Sequence, residues 1–348
     1  MSDENAREAL LKRQIIQRFP GISYAWVNAA NKEAAEYFGF ADKESHTLVD
    51  ENTVFPACSI SKFITALCVM KLHEQKAIDI DRPVNDFLRQ WKLLTPEGKE
   101  SDATIRALLC HTAGIMDGED GFYGLRCGDP EISLMDILEG KTAYNNRPVR
   151  AEKPQGEAFE YSDAGYCVLQ QLLQEMMHTS FDDIARDTLF DPLGLSSTFF
   201  ATPDNMACFE SRMATGYDEG NRPVPGKFPS VPDLAASGLW STPEELLIIA
   251  REFMEAYNGR SGFLQQKTVR EMAKPVEKFP WTGLGLFIGE NDTLISQGWG
   301  ENGQCILKMN CRTGEIAAVM TNRNPGVDQQ ASGVEWLAGR KPCEGNLT

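Results

Sequence analysis

The chain reads as an α+β protein: an antiparallel sheet drawn from both chain ends and flanked by terminal helices, with a mainly helical lobe inserted between them. Three observations predict this. Strand-like runs cluster toward the two ends of the 348 residues. The C-terminal runs are joined by short, turn-like connections, as in hairpins. The stretch from about 76 to 245 is broken by Pro and Gly into short helical patterns. The length suits two average domains or one large two-lobed body. The sheet lobe is drawn as 1–75 plus 246–348 and the helical lobe as 76–245, with a cleft between.

Residues 3–19 carry helix-forming side chains, with Leu11, Ile15 and Phe19 at a four-residue spacing and Pro20-Gly21 as a stop. Strand-like runs follow at about 22–28 and 35–40, joined by the polar Asn31-Lys32-Glu33 turn. Phe55-Pro56-Ala57 reads as a loop entering a helix. From Cys58 to His73 the chain is apolar nearly all round (Ile60, Phe63, Ile64, Leu67, Val69, Met70), the mark of a buried helix. In the middle, Asp81-Arg82-Pro83, Cys127-Gly128-Asp129-Pro130 and Asp191-Pro192-Leu193-Gly194 punctuate the helices. The proline-rich 217–234 reads as a long irregular loop over the surface. Strand patterns return at Gly283–Ile288, Thr293–Trp299, Gln304–Met309 and Glu315–Thr321, before a last helix at about 328–338. No internal repeat or low-complexity tract is present.

Composition excludes several classes. At 42% hydrophobic and 24% charged residues the chain is that of a globular protein. Fifty acidic residues against 34 basic ones leave a net charge of −16, which argues against nucleic-acid partners and anionic membranes. No apolar run approaches the ~20 residues that span a bilayer. The segment MSDENAREALLKRQ has neither the basic start nor the apolar core of a secretory signal, so a cytoplasmic location is expected. The nine cysteines form no CxxC pair and are expected to be reduced, mostly buried thiols. His46, His73, His111 and His178 show no metal-ligand spacing, and no metal or organic cofactor is expected.

Ser59 and Lys62 interrupt the apolar helix at its start. Three residues apart, they project from one face. Ser-x-x-Lys occurs by chance in most chains of this length; burial singles this one out, because a lysine among apolar residues is costly without a partner or a function. The helix dipole favours negative charge near Ser59. Desolvation lowers the proton affinity of a buried amine and makes it a base. Nucleophile plus adjacent base is the minimal unit of acyl transfer. Tyr161-Ser162-Asp163 is the second element: a tyrosine at a loop apex can reach into a cleft and relay protons beside an ammonium. A packed tyrosine with a paired hydroxyl is the usual alternative.

ACSISKFITAL and EYSDAGY, in this order and spacing, resemble the serine beta-lactamase and penicillin-binding-protein superfamily. The branch is the one with class C enzymes, D-stereospecific peptidases and related esterases. LLCHTAGI, FDPLGLSST, SGLWSTPEEL and VMTNRNPG agree, so the resemblance runs from about residue 22 to the end. It implies a beta-lactamase/transpeptidase-like fold with the active site in the cleft. It makes Ser59 the nucleophile, Lys62 its proton partner and Tyr161 the residue that activates the serine or protonates the leaving group. Asp163 falls where many relatives have the asparagine that contacts the substrate amide. An aspartate there would pair with Lys62, keep it charged and leave Tyr161 as the main base.

The third motif, Lys-Thr-Gly or His-x-Gly in relatives, falls on Ser296-Gln297-Gly298. The backbone N–H of Trp299 would then join that of Ser59 in an oxyanion hole. A second register starts the motif at Trp299 but places Glu301 where glycine is expected. In both registers the cationic residue is missing. The resemblance therefore implies a hydrolase acting through a Ser59 acyl-enzyme on a small ester, amide or D-amino-acid peptide. The alternatives are a beta-lactamase or D-alanyl-D-alanine carboxypeptidase, and a silent scaffold of the same fold. His111 is expected to be structural, its imidazole satisfied by backbone, and Cys58 to be a small apolar residue. Trp240, Trp281 and Trp299 are candidates for an aromatic substrate wall, though core packing explains each about as well, and Phe122-Tyr123 are candidates for a cleft-facing loop. Oligomeric state has no signature.

Overall fold

The computed structural model describes residues 3–339 apart from 120, 127, 128 and 261, with side chains from residue 7 onward. Cys127-Gly128 and Cys343 therefore lie outside the described residues; the seven described cysteines are free thiols.

Among the described residues, ten strands form two antiparallel sheets. In chain order they are β1 (Gly21–Val27), β2 (Glu33–Asp42), β3 (Thr47–Leu48), β4 (Phe55–Cys58), β5 (Phe199–Phe200), β6 (Leu239–Ser241), β7 (Phe287–Ile288), β8 (Thr293–Gly300), β9 (Gly303–Asn310) and β10 (Ile316–Thr321). The large sheet runs β3-β2-β1-β10-β9-β8-β7, so both chain ends do build one sheet, closed by the pairing of β1 with β10. The small sheet runs β4-β6-β5.

Alternation along β1 sends Ile22, Tyr24 and Trp26 to one face, where Ile15, Phe19, Val334 and Leu337 of the two chain ends cover them. Ala25 and Val27 face the main core with Ala318 and Met320 of β10. Ala25 stands opposite Ala318, and these small side chains let the helix Pro243–Tyr257 lie close against β1 and β10. That helix starts at Thr242, whose hydroxyl accepts from the Glu245 N–H, with Pro243 in the first turn. The Glu245 carboxylate turns away to accept from Ser196 N, Ser197 N and the Thr198 hydroxyl. The segments FDPLGLSST and SGLWSTPEEL are thereby locked together.

The structure corrects several boundaries. Phe55–Cys58 is a strand rather than a loop. Of Gly283–Ile288 only Phe287–Ile288 is strand, because Gly285 is left-handed (φ +74°) and its backbone presses on the next helix: a Cβ there would lie 2.3 Å from Ala66 Cβ. The last helix is two short ones, Gln329–Ser332 and Val334–Leu337, broken at Gly333 (φ +92°). The 217–234 loop is irregular but does not simply cross the surface. Val224 and Phe228 are buried in it, and Asp233 is wholly so.

Candidate active site

The helix Ile60–Glu74 is buried at all but three of its residues, between the large sheet and the middle of the chain. Its polar side chains are anchored to one neighbouring segment. Ser61 Oγ accepts from Leu239 N at 2.9 Å, and Thr65 Oγ1 donates to Ala235 O at 2.8 Å. Lys62 Nζ donates to Ala236 O at 3.0 Å. Ser59 is the residue just before the helix, and Cys58 ahead of it holds a positive φ of 46° that few side chains adopt. This turn brings Ser59 Oγ to 3.0 Å from Lys62 Nζ.

The second group comes from the start of the helix Asp163–Met177. Ser162 caps it, its hydroxyl accepting from Gly165 N at 2.9 Å. Asp117 completes the cap. Its carboxylate accepts from Ser162 Oγ (2.8 Å), Asp163 N (2.7 Å) and Ala164 N (3.0 Å), filling positions that an isolated helix leaves unpaired. With the cap fixed, Asp163 Oδ1 lies 2.5 Å from Lys62 Nζ. The Lys62 ammonium also sits 4.8 Å from the centroid of the Tyr161 ring, and the Tyr161 hydroxyl interacts with Ser59 and Lys62. Ser59, Lys62, Tyr161 and Asp163 thus meet at one point.

Charge decides what each group can do. Burial pulls Lys62 toward neutrality, but the Asp163 carboxylate and the Tyr161 oxygen outweigh it and hold its proton well above the ordinary lysine range. Tyr161 is raised by burial and by Asp163, against the opposing pull of Lys62, so its resting form is the neutral phenol. Burial and the charge of Asp163 raise Asp117. The same two causes push Asp233 up to about 7. One Asp233 oxygen accepts from the Tyr144 hydroxyl at 2.5 Å, while Oδ2 is buried with no hydrogen-bond partner. Asp163 therefore pairs with the Lys62 ammonium, while its charge also acts on Asp117 and Asp233.

His111 is structural, as expected. It accepts from Ser162 N at Nδ1 (3.2 Å), which places its proton on Nε2. Burial, then Lys62, pushes it down to about 3, so it stays neutral. Its ring packs 4.4 Å from that of Tyr161 and helps orient the phenol.

The third motif lies on β8. Gly298 pairs with Cys305, whose Sγ donates to Ala57 O at 2.9 Å, so Ser296 and Gly298 share the face turned to the Ser59 turn. A Cβ on Gly298 would meet Ala57 O at 2.5 Å; only glycine fits. Trp299 pairs with Gln304, which bonds Val327 O and Ser332 on the opposite face. The side chains of Gln297 and Trp299 leave from that opposite face, and the Trp299 indole bonds Asn324 at 2.8 Å. The alternation puts Ser296 and Gly298, and not the Trp299 side chain, on the face turned to Ser59.

The structure separates the packed from the exposed among these aromatic side chains. Trp240 is a core residue packed on Phe228. Phe122 packs on Tyr144, and only Tyr123 of that pair is exposed. Trp281 is exposed and lies in a cluster of rings that reaches Tyr161. Asp117, Asp233, Tyr144 and the Ala236 carbonyl had no local sequence signal. Among the described residues no group of three or more His, Cys, Asp or Glu side chains is placed to hold a metal ion. No described helix is long and apolar enough to cross a membrane.

The fold and motifs can be set beside known proteins. Among solved structures, the octameric penicillin-binding protein homologue from Pyrococcus abyssi matches with a TM-score of 0.77 at 22% identity, over 98% of this chain and 79% of that one. The D-amino acid amidase from Ochrobactrum anthropi SV3 matches with a TM-score of 0.76 at 22% identity, over 94% and 96%. The unguisins hydrolase of Aspergillus violaceofuscus is 28% identical over 204 residues, 58% of this chain and 35% of that protein. This chain spans less than half the length of the curated relatives it matches. Residues 7–339 match the beta-lactamase family from end to end of the fold described above, and the chain belongs to that family.

Proposed function

We propose that the chain is a serine hydrolase that acts through an acyl-enzyme on Ser59, with a small ester, amide or D-amino-acid peptide as substrate. The observation that carries this is the buried Lys62 ammonium, held 3.0 Å from Ser59 Oγ and 2.5 Å from Asp163 Oδ1. Because the resting lysine is already protonated, it relays rather than simply accepts. As Ser59 Oγ bonds to the carbonyl carbon, its proton passes to Lys62 and Lys62 returns one to Asp163. Tyr161, neutral in the resting state, gives its proton to the leaving oxygen or nitrogen. Water then attacks the acyl carbon and returns a proton to the Tyr161 oxygen, while Asp163 hands its proton back through Lys62 to the departing Ser59 oxygen and the free hydroxyl is restored. The N–H groups of Ser59 and Trp299 are assigned to the developing oxyanion.

The test is a panel of activated esters and D-amino-acid amides with wild type and Ser59→Ala, together with a fluorophosphonate probe read by mass. Turnover and a mass increment that both depend on Ser59 support the reading. Their joint absence favours a silent scaffold, which the Lys62–Asp163 ion pair and the missing cation of the third motif would suit. A penicillin- or cephalosporin-cleaving activity, or a carboxypeptidase one, needs a partner for the substrate carboxylate. Ser296 stands where relatives place a cation, so turnover of a chromogenic cephalosporin is expected to be slow or absent.

A further inference from the structure

Beside Tyr161 lies a set of aromatic rings that the proton relay does not use. The Tyr161 ring stacks on Phe287 with centroids 6.2 Å apart and planes at 22°. Phe287 lies 6.5 Å from Phe159, Phe159 lies 6.1 Å from Trp281, and Trp281 lies 5.7 Å from Phe279, all within the range of favourable ring contacts. None of the five is a buried core residue. Tyr161 is 41% exposed and Trp281 48%, while Phe287, Phe159 and Phe279 are half-buried. Rings that serve packing alone are ordinarily covered; here Tyr161 and Trp281 of a continuous aromatic row stay open, and Tyr161 is the proposed proton donor.

The row is held in place before any ligand arrives. Ile288 N donates to Trp281 O at 2.8 Å and Val276 N to Thr282 O at 3.1 Å, closing the segment on itself. Lys278 Nζ donates to Gly156 O at 2.9 Å and ties that segment to the strap carrying Phe159. The neighbouring charges are turned elsewhere: Lys278 to that carbonyl, and Glu160 to Lys153. The surface left beside Tyr161 is therefore apolar. A charged group laid on it would lose its water without gaining a partner.

We propose that this row is the leaving-group subsite of the hydrolase, that the departing alcohol or amine is uncharged and carries an aromatic or bulky apolar group, and that Trp281 determines that preference. The inference rests on the Ser59 reading, since a leaving group has meaning only if Tyr161 protonates it. It narrows the substrate class from any small ester or amide to one with an apolar departing portion. Ammonia, methanol and carboxylate-bearing amino acids are disfavoured as leaving groups.

The experiment compares ethyl and 2-phenylethyl esters of one acid, whose alcohols have similar acidity, with wild type, Trp281→Ala and Trp281→Phe. Wild type should prefer the 2-phenylethyl ester by about tenfold or more in kcat/KM. Trp281→Ala should bring the ratio to within about threefold of unity, and Trp281→Phe should restore most of it. A second measurement needs no variant: 2-phenylethanol, but not ethanol at equal concentration, should slow fluorophosphonate labelling of Ser59 in wild type. A wild-type ratio near one, an unchanged ratio in Trp281→Ala, or equal protection by the two alcohols overturns the subsite while leaving the Ser59 reading intact. Failure of Ser59 both to be labelled and to turn over either ester overturns that reading, and the leaving-group assignment with it.

Discussion

Lys62 is held by the Asp163 carboxylate, and the same charge bears on the buried Asp233. Its carboxyl is fully buried, has one oxygen without a partner and is pushed up to about 7 by burial and by Asp163. Between pH ~4 and ~7 the folded chain keeps a proton there that the unfolded chain has released, so stability falls as pH rises across that window. The full displacement corresponds to about 4 kcal/mol at most. Asp233→Asn should remove the fall: urea unfolding should find the variant closer to, or above, wild type in stability at pH 8 than at pH 4. A stability difference that does not change with pH would refute a protonated Asp233. Asp163 invites a different test. With asparagine in its place Lys62 loses its counter-charge, burial prevails, and the amine becomes neutral at lower pH. The relay then lacks its last acceptor, so labelling of Ser59 by a fluorophosphonate should need neutral Lys62. Its rate should rise by about tenfold per pH unit below the lysine pKa, where wild type is nearly flat from pH 6 to 8. Identical profiles would count against the relay. Ser59, Lys62 and Tyr161 were legible because their motifs are local; Asp117 and Asp233 were not, because an aspartate's burial is set by chain that lies far away in sequence.

At the scale of elements, the site depends on how closely β8 approaches the turn before Ser59. Gly298 permits that approach, since a Cβ would stand 2.5 Å from Ala57 O, 2.8 Å from Cys58 Cβ and 2.7 Å from Cys305 Sγ. Two of these obstacles belong to the strand that ends just before Ser59, so β8 itself must move. Gly298→Ala should therefore lower Ser59 labelling at least tenfold and cost about 1–3 kcal/mol in urea unfolding, as overpacking does elsewhere. Normal labelling at normal stability would mean that β8 can shift without disturbing the site. The helix Ile60–Glu74 was readable from its unbroken apolar content, and the hairpins of the C-terminal half from their turns. Phe55–Cys58 was missed because Pro56 argues against a strand, yet β4 is an edge of the small sheet, where proline is tolerated. The break at Gly333 was hidden for another reason. It follows from the contact with Ile15, where a Cβ would come within 2.6 Å, and no pattern within residues 328–338 records a neighbour from the other chain end.

Across the whole molecule, one buried side chain fastens the join between the two chain ends. Asn322, just after β10, is wholly buried; its Oδ1 accepts from Gly21 N at 2.8 Å and its Nδ2 donates to Phe40 O at 3.1 Å. It thereby ties β1, β2 and β10 together, while Tyr217 N donates to its backbone carbonyl and draws the 217–234 loop to the same point. The resemblance placed it within VMTNRNPG, a segment that could be matched before its purpose could be read. Its purpose is closure of the sheet, not chemistry, and the two are separable by experiment. Asn322→Ala leaves the Gly21 N–H and the Phe40 carbonyl buried without these partners, each worth about 1–3 kcal/mol. Alanine is too short to reach either group, so no local repacking can replace the bonds. The variant should unfold at a distinctly lower urea concentration, yet Ser59 should be labelled at the wild-type rate wherever the chain remains folded, because β8, the Ser59 turn and the Asp163 helix are positioned by other contacts. A labelling rate that fell in step with stability would show instead that the join between the chain ends and the geometry of Ser59 are one cooperative unit.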